Sequence, residues 1–235
     1  MSSSAAQVKR ELDALADPAR AAQLQRYFKT GPGEYGAGDV FIGISVPSQR
    51  KIAKAHLDLP LPEIDKLLRS KVHEHRSVGL LILTYQCEGA DLAGRKERYD
   101  FYLAHTDRAN NWDLVDLSCR EVVGGYLLAR GGWAPLKKLA RSKSLWERRI
   151  AIVSTYQFVR AGDLEPTFTI ATMLLGDDHD LMHKATGWML REAGKQDPAA
   201  LDAYLADHAQ AMPRTALRYA IERMPPERRA HWRSQ

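Results

Sequence analysis

One segment of the chain recurs four times at a constant interval, and this repeat constrains the fold more than any other feature. The copies begin at Arg76, Trp112, Arg148 and Lys184, so each interval is 36 residues. Three residues into each copy stands a small or β-branched residue: Gly79, Val115, Ala151 and Gly187. Helical periodicity runs throughout, and no stretch alternates apolar and polar residues long enough for a strand. A helix-pair period of this length predicts an all-α curved α-solenoid of HEAT-like helix pairs, with the repeated segments as inner helices of a concave face.

The apolar periodicity also places the individual helices. One amphipathic helix carries Val8, Leu12 and Leu15, and the next carries Leu24, Tyr27 and Phe28. A glycine-containing irregular segment follows over 31–46, and a proline opens a helix over 47–57. The expected pairs then join 62–70 with 74–87, 95–105 with 111–129, 134–141 with 145–159, 164–175 with 180–194, and 198–208 with 213–223. We therefore expect one domain over 1–235, with N-terminal helices and a glycine-containing loop in 1–46, stacked pairs in 47–224, and a basic tail in 225–235.

Composition narrows the class of protein. The chain has 34 Lys and Arg against 29 Asp and Glu, a net charge of +5, which suits a polyanionic partner but also an ordinary solvated surface. Its cysteines, Cys87 and Cys119, lack the spacing of a disulfide framework or a thiolate zinc site. Neither a signal peptide nor an apolar run long enough to span a membrane is present. We expect a soluble, cytoplasmic protein.

The repeat breaks its own pattern at Asp116. The position after the small residue reads Leu80, Asp116, Ile152 and Trp188 in the four copies, so one carboxylate replaces an apolar side chain. Because a buried charge is costly unless it is paired or used, Asp116 is a candidate functional residue. Trp112 lies four residues earlier and therefore shares its helix face. Regular stacking would bring these two side chains together with Arg149 and Trp188.

Such a set of side chains suits a polyanionic substrate that carries a local cation. An indole face attracts cations, a guanidinium grips phosphate, and a carboxylate stabilises developing positive charge. Purines alkylated at N3 or N7 in DNA fit this description, because the cationic base leaves without protonation and one carboxylate suffices. Two alternatives stay open: Asp116 as a structural partner of Arg149, and Arg148 rather than Arg149 as the inner arginine.

Four motifs in one order carry a resemblance to a known family. They are Gly43-Ile-Ser-Val-Pro-Ser-Gln-Arg-Lys, Asn111-Trp-Asp-Leu-Val-Asp, Leu145-Trp-Glu-Arg-Arg and Lys184-Ala-Thr-Gly-Trp-Met-Leu-Arg-Glu. With them the chain resembles the AlkD-type alkylpurine DNA glycosylases, within the HEAT-like-repeat DNA alkylation repair proteins. The resemblance implies release of 3-methyladenine and 7-methylguanine from duplex DNA without base flipping, and it places Trp112, Asp116, Arg149 and Trp188 at catalytic positions.

The resemblance also implies a DNA-contacting surface. Arg50, Lys51 and Arg191 fall among backbone-contact positions, and Ser45 stands where relatives carry a longer polar side chain that reaches the DNA. The remaining candidate DNA contacts are Tyr27, Arg76, Arg148, Lys184, Lys195 and Arg214. We expect no metal or organic cofactor, duplex DNA containing alkylated bases as the partner, and a monomer that associates with the nucleoid when it is bound to DNA.

Two other functions and two polar motifs complete the sequence-based picture. The alternatives to a glycosylase are a non-catalytic DNA-binding solenoid and a protein-scaffold module. His179 and His183 have the i, i+4 spacing of a zinc helix, but the accompanying Glu and a third ligand are missing, so we expect no zinc site. His73-Glu-His75 is interpreted as a polar helix start.

Overall fold

The computed structural model describes residues 3–235, in which the helices fall into two compact units, Met1–Ser118 and Cys119–Gln235. Over the described residues there is no β-strand, and a single isolated bridge pairs Val40 with Val72. The prediction of an all-helical chain is confirmed. The expectation of one domain over 1–235 stays a prediction. No helix within 3–235 is long and apolar enough to cross a membrane.

The first unit is built from seven helices within its described part. They are α1 (Ala5–Asp13), α2 (Pro18–Tyr27), α3 (Val46–Ala55), α4 (Leu61–Leu68), α5 (His73–Glu88), α6 (Leu92–Leu103) and α7 (Trp112–Cys119). Short polar side chains start several of them: Ser4 caps α1, and Asp17 accepts from two backbone N–H groups at the start of α2. The expected apolar stripe of α1 is wrong at Leu15, which lies beyond the helix and is about half exposed.

Helix α5 is the centre of the first unit, packed against α3 and α4. It is buried almost all round, including its first four residues, His73 to Arg76. Buried polar groups need partners, and the carboxylate of Glu74 finds them in the loop over 31–45. It accepts hydrogen bonds from the backbone N–H groups of Ile42, Gly43 and Ile44 at 2.8–3.2 Å.

That loop is irregular, as predicted, but it is firmly anchored. Gly43 has φ of +88°, and a Cβ at this position would lie 2.2 Å from the carbonyl oxygen of Asp17. Only glycine fits both the left-handed backbone and this close approach. The Gly43 N–H bonded to Glu74 therefore ties the loop to α5, and the loop leads directly into α3.

The second unit contains a π-helical segment and nine further helices. They are the π segment (Arg120–Gly125), α8 (Tyr126–Arg130), α9 (Ala134–Ala140), α10 (Leu145–Ser154), α11 (Tyr156–Arg160), α12 (Glu165–Met173), α13 (Asp180–Gln196), α14 (Pro198–His208), α15 (Arg214–Ala220) and α16 (Pro226–Arg233). The helices predicted over 111–129 and 145–159 are present, but each contains one irregularity, a π-helical segment over Arg120–Gly125 in the first and a break at Thr155 in the second. Gly124 in the π segment lies so close to Ser154 that a Cβ would meet its carbonyl oxygen at 2.2 Å. At the second break, the Thr155 hydroxyl donates to the Ile152 carbonyl at 2.7 Å.

The basic tail predicted over 225–235 contains a helix, α16. Its Trp232 is buried, and the indole N–H donates to Asp202 of α14 at 3.2 Å. Arg228 forms an ion pair with the same carboxylate. The contact is with a residue about thirty positions away, which the local basic composition did not reveal.

The repeat itself is present in the structure. Its four copies lie in α5, α7, α10 and α13, and the small residue of each copy is buried. Gly187 shows why small size matters: a Cβ there would lie 2.3 Å from the carbonyl oxygen of Ala216. Helices α13 and α15 pack at a distance that only glycine allows at this point.

Candidate active site

Helix α7 carries the residue that breaks the repeat. Trp112 is its first residue and Asp116 lies one turn later, so the two side chains leave the same face of the helix. Both are half-buried. The side-chain oxygen of Asn111 accepts from the Trp112 backbone N–H at 2.8 Å and so caps the helix start. The sequence prediction that Trp112 and Asp116 share a face is therefore confirmed.

A stack of aromatic rings fixes the indole of Trp112. It lies parallel to Phe28 at 5.2 Å between ring centroids, and Phe28 lies parallel to Phe41 at 4.9 Å. Phe41 in turn stacks on the imidazole of His73 at 4.3 Å. Tyr27 meets the Trp112 indole edge-on at 6.2 Å and is itself 65% exposed. The stack leaves Trp112 few alternative orientations, since each ring is held by the next.

At the end of this stack, His73 joins two carboxylates. Its Nδ1 lies 2.9 Å from Asp39, in the irregular loop, and its Nε2 lies 2.8 Å from Asp113, on α7. Burial alone would lower the pKa of His73, but the charges and hydrogen bonds of Asp113 and Asp39 outweigh it and raise the pKa to about 9. His73 is therefore a buried imidazolium that links the loop and α5 to the first turn of α7.

The carboxylate of Asp39 accepts hydrogen bonds from three side chains. Besides His73, it accepts from the Arg76 guanidinium at 2.6 Å and from the Asn111 amide at 3.4 Å. Desolvation opposes ionisation of Asp39, but the His73 hydrogen bond and the charges of Arg76 and His73 leave its pKa below the usual value. The interpretation of His73-Glu-His75 as a polar helix start is confirmed, because α5 begins at His73, but all three side chains are buried. The partners of His73 lie 34 and 40 residues away, so no local pattern reveals them.

In the second unit, α10 and α13 position the other two candidate catalytic residues. Arg149 is only 5% exposed, and its Nη1 donates to the Leu181 carbonyl in the first turn of α13 at 2.6 Å. Trp188 is half-buried, seven residues further along α13, about 10 Å along the helix axis. Its indole N–H donates to Glu192 at 3.1 Å. One helix therefore both carries Trp188 and receives the Arg149 side chain.

The two consecutive arginines have separate partners. The Arg148 guanidinium donates to Asp177 at 2.6 Å and to the backbone carbonyls of Ser142 and Lys143 at 3.1 and 3.0 Å. These bonds hold the turn before α10 against the loop before α13. Arg148 is thus a support of the fold, and this favours Arg149 as the functional member of the pair.

The structure corrects the candidate DNA contact at Arg76. Its side chain is buried, and it donates to Asp39 and to the Ser70 carbonyl. Both arms of this guanidinium are engaged within the unit, where they brace the turn before α5.

Other candidate contacts lie at the surface, several in contact with neighbouring side chains. Arg50 is exposed and donates to the Tyr85 hydroxyl at 2.9 Å, and Lys54 lies over the same ring. Lys51 is exposed, whereas the Ser45 hydroxyl caps α3 by accepting from the Ser48 N–H. The remaining ones are tied by side-chain bonds: Lys184 to Asp180, Arg191 to Glu222 and Glu192, Lys195 to Glu192, and Arg214 to the Arg233 carbonyl. Lys54 and Tyr85 were missed in the sequence, although Lys54 falls one turn after Arg50.

Comparisons with known proteins agree with this architecture. The family model for DNA alkylation repair enzymes matches residues 8–224, which is most of the chain. The chain therefore belongs to the DNA alkylation repair enzyme family. A solved structure described as a predicted DNA alkylation repair enzyme from Enterococcus faecalis has a TM-score of 0.71 and 18% identity, and the match covers 90% of this chain and 97% of that one. At this identity the likeness shows a shared fold. Among curated proteins there is no match.

Membership of this family supports a role in DNA repair and indicates DNA as the partner.

Proposed function

We propose that the chain is a monofunctional DNA glycosylase that hydrolyses the N-glycosidic bond of cationic N3- and N7-alkylated purines in duplex DNA. The observation that carries the proposal is the pair on α7, where a half-buried carboxylate, Asp116, follows an indole, Trp112, by one turn. Family membership supports DNA as the macromolecule. A cation-attracting ring beside a carboxylate suits a positively charged base in a polyanion.

In the proposed reaction, the bond between C1′ and the purine nitrogen breaks, and its electron pair leaves with the cationic base, which becomes neutral. The Asp116 carboxylate stabilises the positive charge that develops on the sugar and orients a water for attack at C1′. The water oxygen bonds to C1′ and its proton passes to solvent. The products are the free alkylated base and an abasic site. No general acid is required, unlike the two-carboxylate chemistry of most glycoside hydrolases.

The other side chains take supporting roles in this proposal. Trp112 and Trp188 pack against the sugar and the cationic base, and Arg149 holds the adjacent phosphate. The aromatic stack behind Trp112 supports a reaction in which the base stays in the duplex. An indole held in one orientation is suited to pack beside the nucleotide and not to insert between base pairs. Backbone contacts come from the exposed candidates Tyr27, Arg50, Lys51, Lys195 and Arg214 and from the half-buried Ser45, Lys184 and Arg191.

The decisive experiment compares wild type with Asp116→Asn on methylated duplex DNA, with released bases identified by mass spectrometry. We expect Asp116→Asn to lose at least about 100-fold in release of 7-methylguanine, the scale of losing one electrostatic stabiliser, while DNA affinity and the thermal midpoint stay near wild type. Asp100→Asn is the matched control, because Asp100 is an exposed carboxylate paired with Lys96 on α6. It should behave as wild type.

The other outcomes separate the alternatives. Binding of DNA by wild type without base release would favour a non-catalytic DNA-binding protein. Weak DNA binding at moderate salt would favour a scaffold. A large drop in thermal midpoint for Asp116→Asn, with release intact after correction for folded protein, would assign Asp116 a purely structural role.

A further inference from the structure

A short sequence occurs twice in the chain at twice the repeat interval. Arg-Ser-Lys stands at 69–71 and again at 141–143, a separation of 72 residues, and an arginine follows at the same distance in each copy, Arg76 and Arg148. Each copy forms the turn before a repeated helix, α5 in the first unit and α10 in the second.

The first copy is held by a small set of hydrogen bonds. The Ser70 hydroxyl accepts from the Val72 N–H at 3.1 Å, and Arg76 donates to the Ser70 carbonyl at 2.9 Å. The other arm of the Arg76 guanidinium pairs with Asp39. A buried arginine thus supports the turn from beneath.

The second copy repeats this construction. The Ser142 hydroxyl accepts from the Ser144 N–H at 3.0 Å, and Arg148 donates to the Ser142 carbonyl at 3.1 Å and pairs with Asp177. The two turns are therefore the same structural device. The two turns can be compared directly, because their hydrogen bonds match while the charged residues that line the neighbouring cavities differ.

Each turn borders a cavity of its own unit that opens to solvent. The first cavity has a volume of about 180 Å³ and its charged lining consists of Arg69, Lys71, Arg76, Arg108, Asp39 and Asp107, four cations against two carboxylates. Three of the four cations have a carboxylate partner, since Arg76 pairs with Asp39, Arg108 with Asp107, and Arg69 with Asp65 outside the lining. Lys71 is the cation of this lining that pairs with no carboxylate of the described residues. In the second cavity, of about 460 Å³, Arg141 and Arg148 are matched by Asp177 and Asp178. The first cavity is cationic, whereas these charges cancel in the second.

Two residues of this lining carry a buried polar atom without a partner. Arg76 and Asn110 border the cavity, and neither the Nε of Arg76 nor the Oδ1 of Asn110, both enclosed by protein, bonds to any group among residues 3–235. An Asn amide presents donors when it is rotated by half a turn, so both residues are able to donate. Lys71 at the rim is exposed, and no carboxylate of the described chain pairs with it. Buried donors without partners and an unpaired cation are what an anion requires.

We propose that this cavity binds a backbone phosphate of duplex DNA, and that the matching turn in the second unit does not. The space equals about six waters at 30 Å³ each, enough for a phosphate group with part of its hydration. Lys71 contacts the phosphate oxygens, and the exposed Arg69, which is held by Asp65 at 2.7 Å, adds its charge at the rim. Arg76 keeps the turn in place and contributes its buried charge. The assignment rests on DNA being the partner, which the family supports, and it adds a phosphate site outside the proposed catalytic residues.

The test is the salt dependence of DNA affinity, measured by fluorescence anisotropy with an undamaged and a methylated duplex. DNA affinity falls as salt rises, and each phosphate contact makes this negative slope of log affinity against log salt concentration steeper by about 0.9. Lys71→Gln should therefore make the slope shallower by about 0.9 and weaken binding of both duplexes equally. The matched control is Lys143→Gln, the exposed lysine at the equivalent position of the second turn, and Lys96→Gln controls for the loss of one positive charge elsewhere. Both controls should keep the wild-type slope.

An unchanged slope for Lys71→Gln, or an equal loss in Lys143→Gln, would overturn the proposal. A second arm titrates inorganic phosphate: if it raises the thermal midpoint of wild type but not of Lys71→Gln while the DNA slope stays unchanged, the site takes free phosphate and not DNA. Base release by wild type is measured separately. Release with an unchanged Lys71→Gln slope refutes only this site, whereas a lowered slope without release refutes only the glycosylase.

Discussion

The buried imidazolium of His73 makes stability depend on pH in a calculable way. Its pKa is about 9 in the folded chain against 6.5 for an unperturbed histidine, a difference of 9 − 6.5, or 2.5 units. Because the folded value is the higher one, proton binding stabilises the folded state. The contribution is fully present below about pH 6.5, declines between 6.5 and 9, and is lost above about 9. At about 1.36 kcal/mol per unit, it amounts to about 3 kcal/mol.

Urea unfolding of wild type and His73→Gln at pH 6, 7.5 and 9.5 measures this quantity. Other groups that titrate in this range, such as His75 and His179, are common to both proteins and cancel in the difference. We expect wild type to exceed the variant at pH 6 and most of that excess, about 3 kcal/mol, to vanish by pH 9.5. Asp113→Asn, which removes one of the two carboxylates, should shift the decline to lower pH. Parallel stability curves for wild type and His73→Gln would refute the assignment of a protonated, doubly paired His73.

Two further substitutions test packing and the division of labour between the arginines. Gly187→Ala should destabilise the second unit by at least about 1 kcal/mol, the usual cost of overpacking, because the added Cβ would lie 2.3 Å from the Ala216 carbonyl oxygen. Thermal unfolding measures this loss. Gly176→Ala is the control, since a Cβ at Gly176 would meet no atom within 4 Å. Arg148→Gln should lower the thermal midpoint with base release per folded molecule preserved, whereas Arg149→Gln should reduce release itself; the reverse pattern in a paired stability and release assay would show that the inner arginine was misassigned.

The positions of most helices follow from local pattern, and the departures have non-local causes. Apolar spacing and prolines place helices such as α3 and α14 within about two residues. The interruption at Gly124 depends instead on a contact with Ser154, thirty residues later. Helix α16 packs through Trp232, the one buried tryptophan of the chain, against a residue of α14. A window of local sequence contains neither partner, so neither feature was predictable from it.

The candidate site likewise has a part that local sequence predicts and a part that depends on contacts between distant residues. The α7 pair, Trp112 and Asp116, follows from helical spacing and from a break in the repeat. What holds Trp112 does not, because the stack and the His73 link draw on the irregular loop and on α5 as well as α7. Loop residues such as Asp39 and Phe41 obey no periodicity, and their contribution is visible only after the chain has folded.

Asp116 and Arg76 show that two charged residues in the same repeat can differ in what they indicate about function. Both are charged residues in repeated segments, yet Arg76 stands at a position where another copy also carries arginine, and both arginines brace the same kind of turn. A charge that recurs with the repeat is explained by the scaffold that the repeat builds. Asp116 replaces Leu80, Ile152 and Trp188 of the other copies, so the scaffold gives it no such explanation. A charged residue that departs from the repeat is therefore a better candidate for a catalytic role than one that recurs with it. The same reasoning applies to the two Arg-Ser-Lys turns. The hydrogen bonds that they share stabilise the fold, and the charged residues that differ between them distinguish the proposed phosphate site.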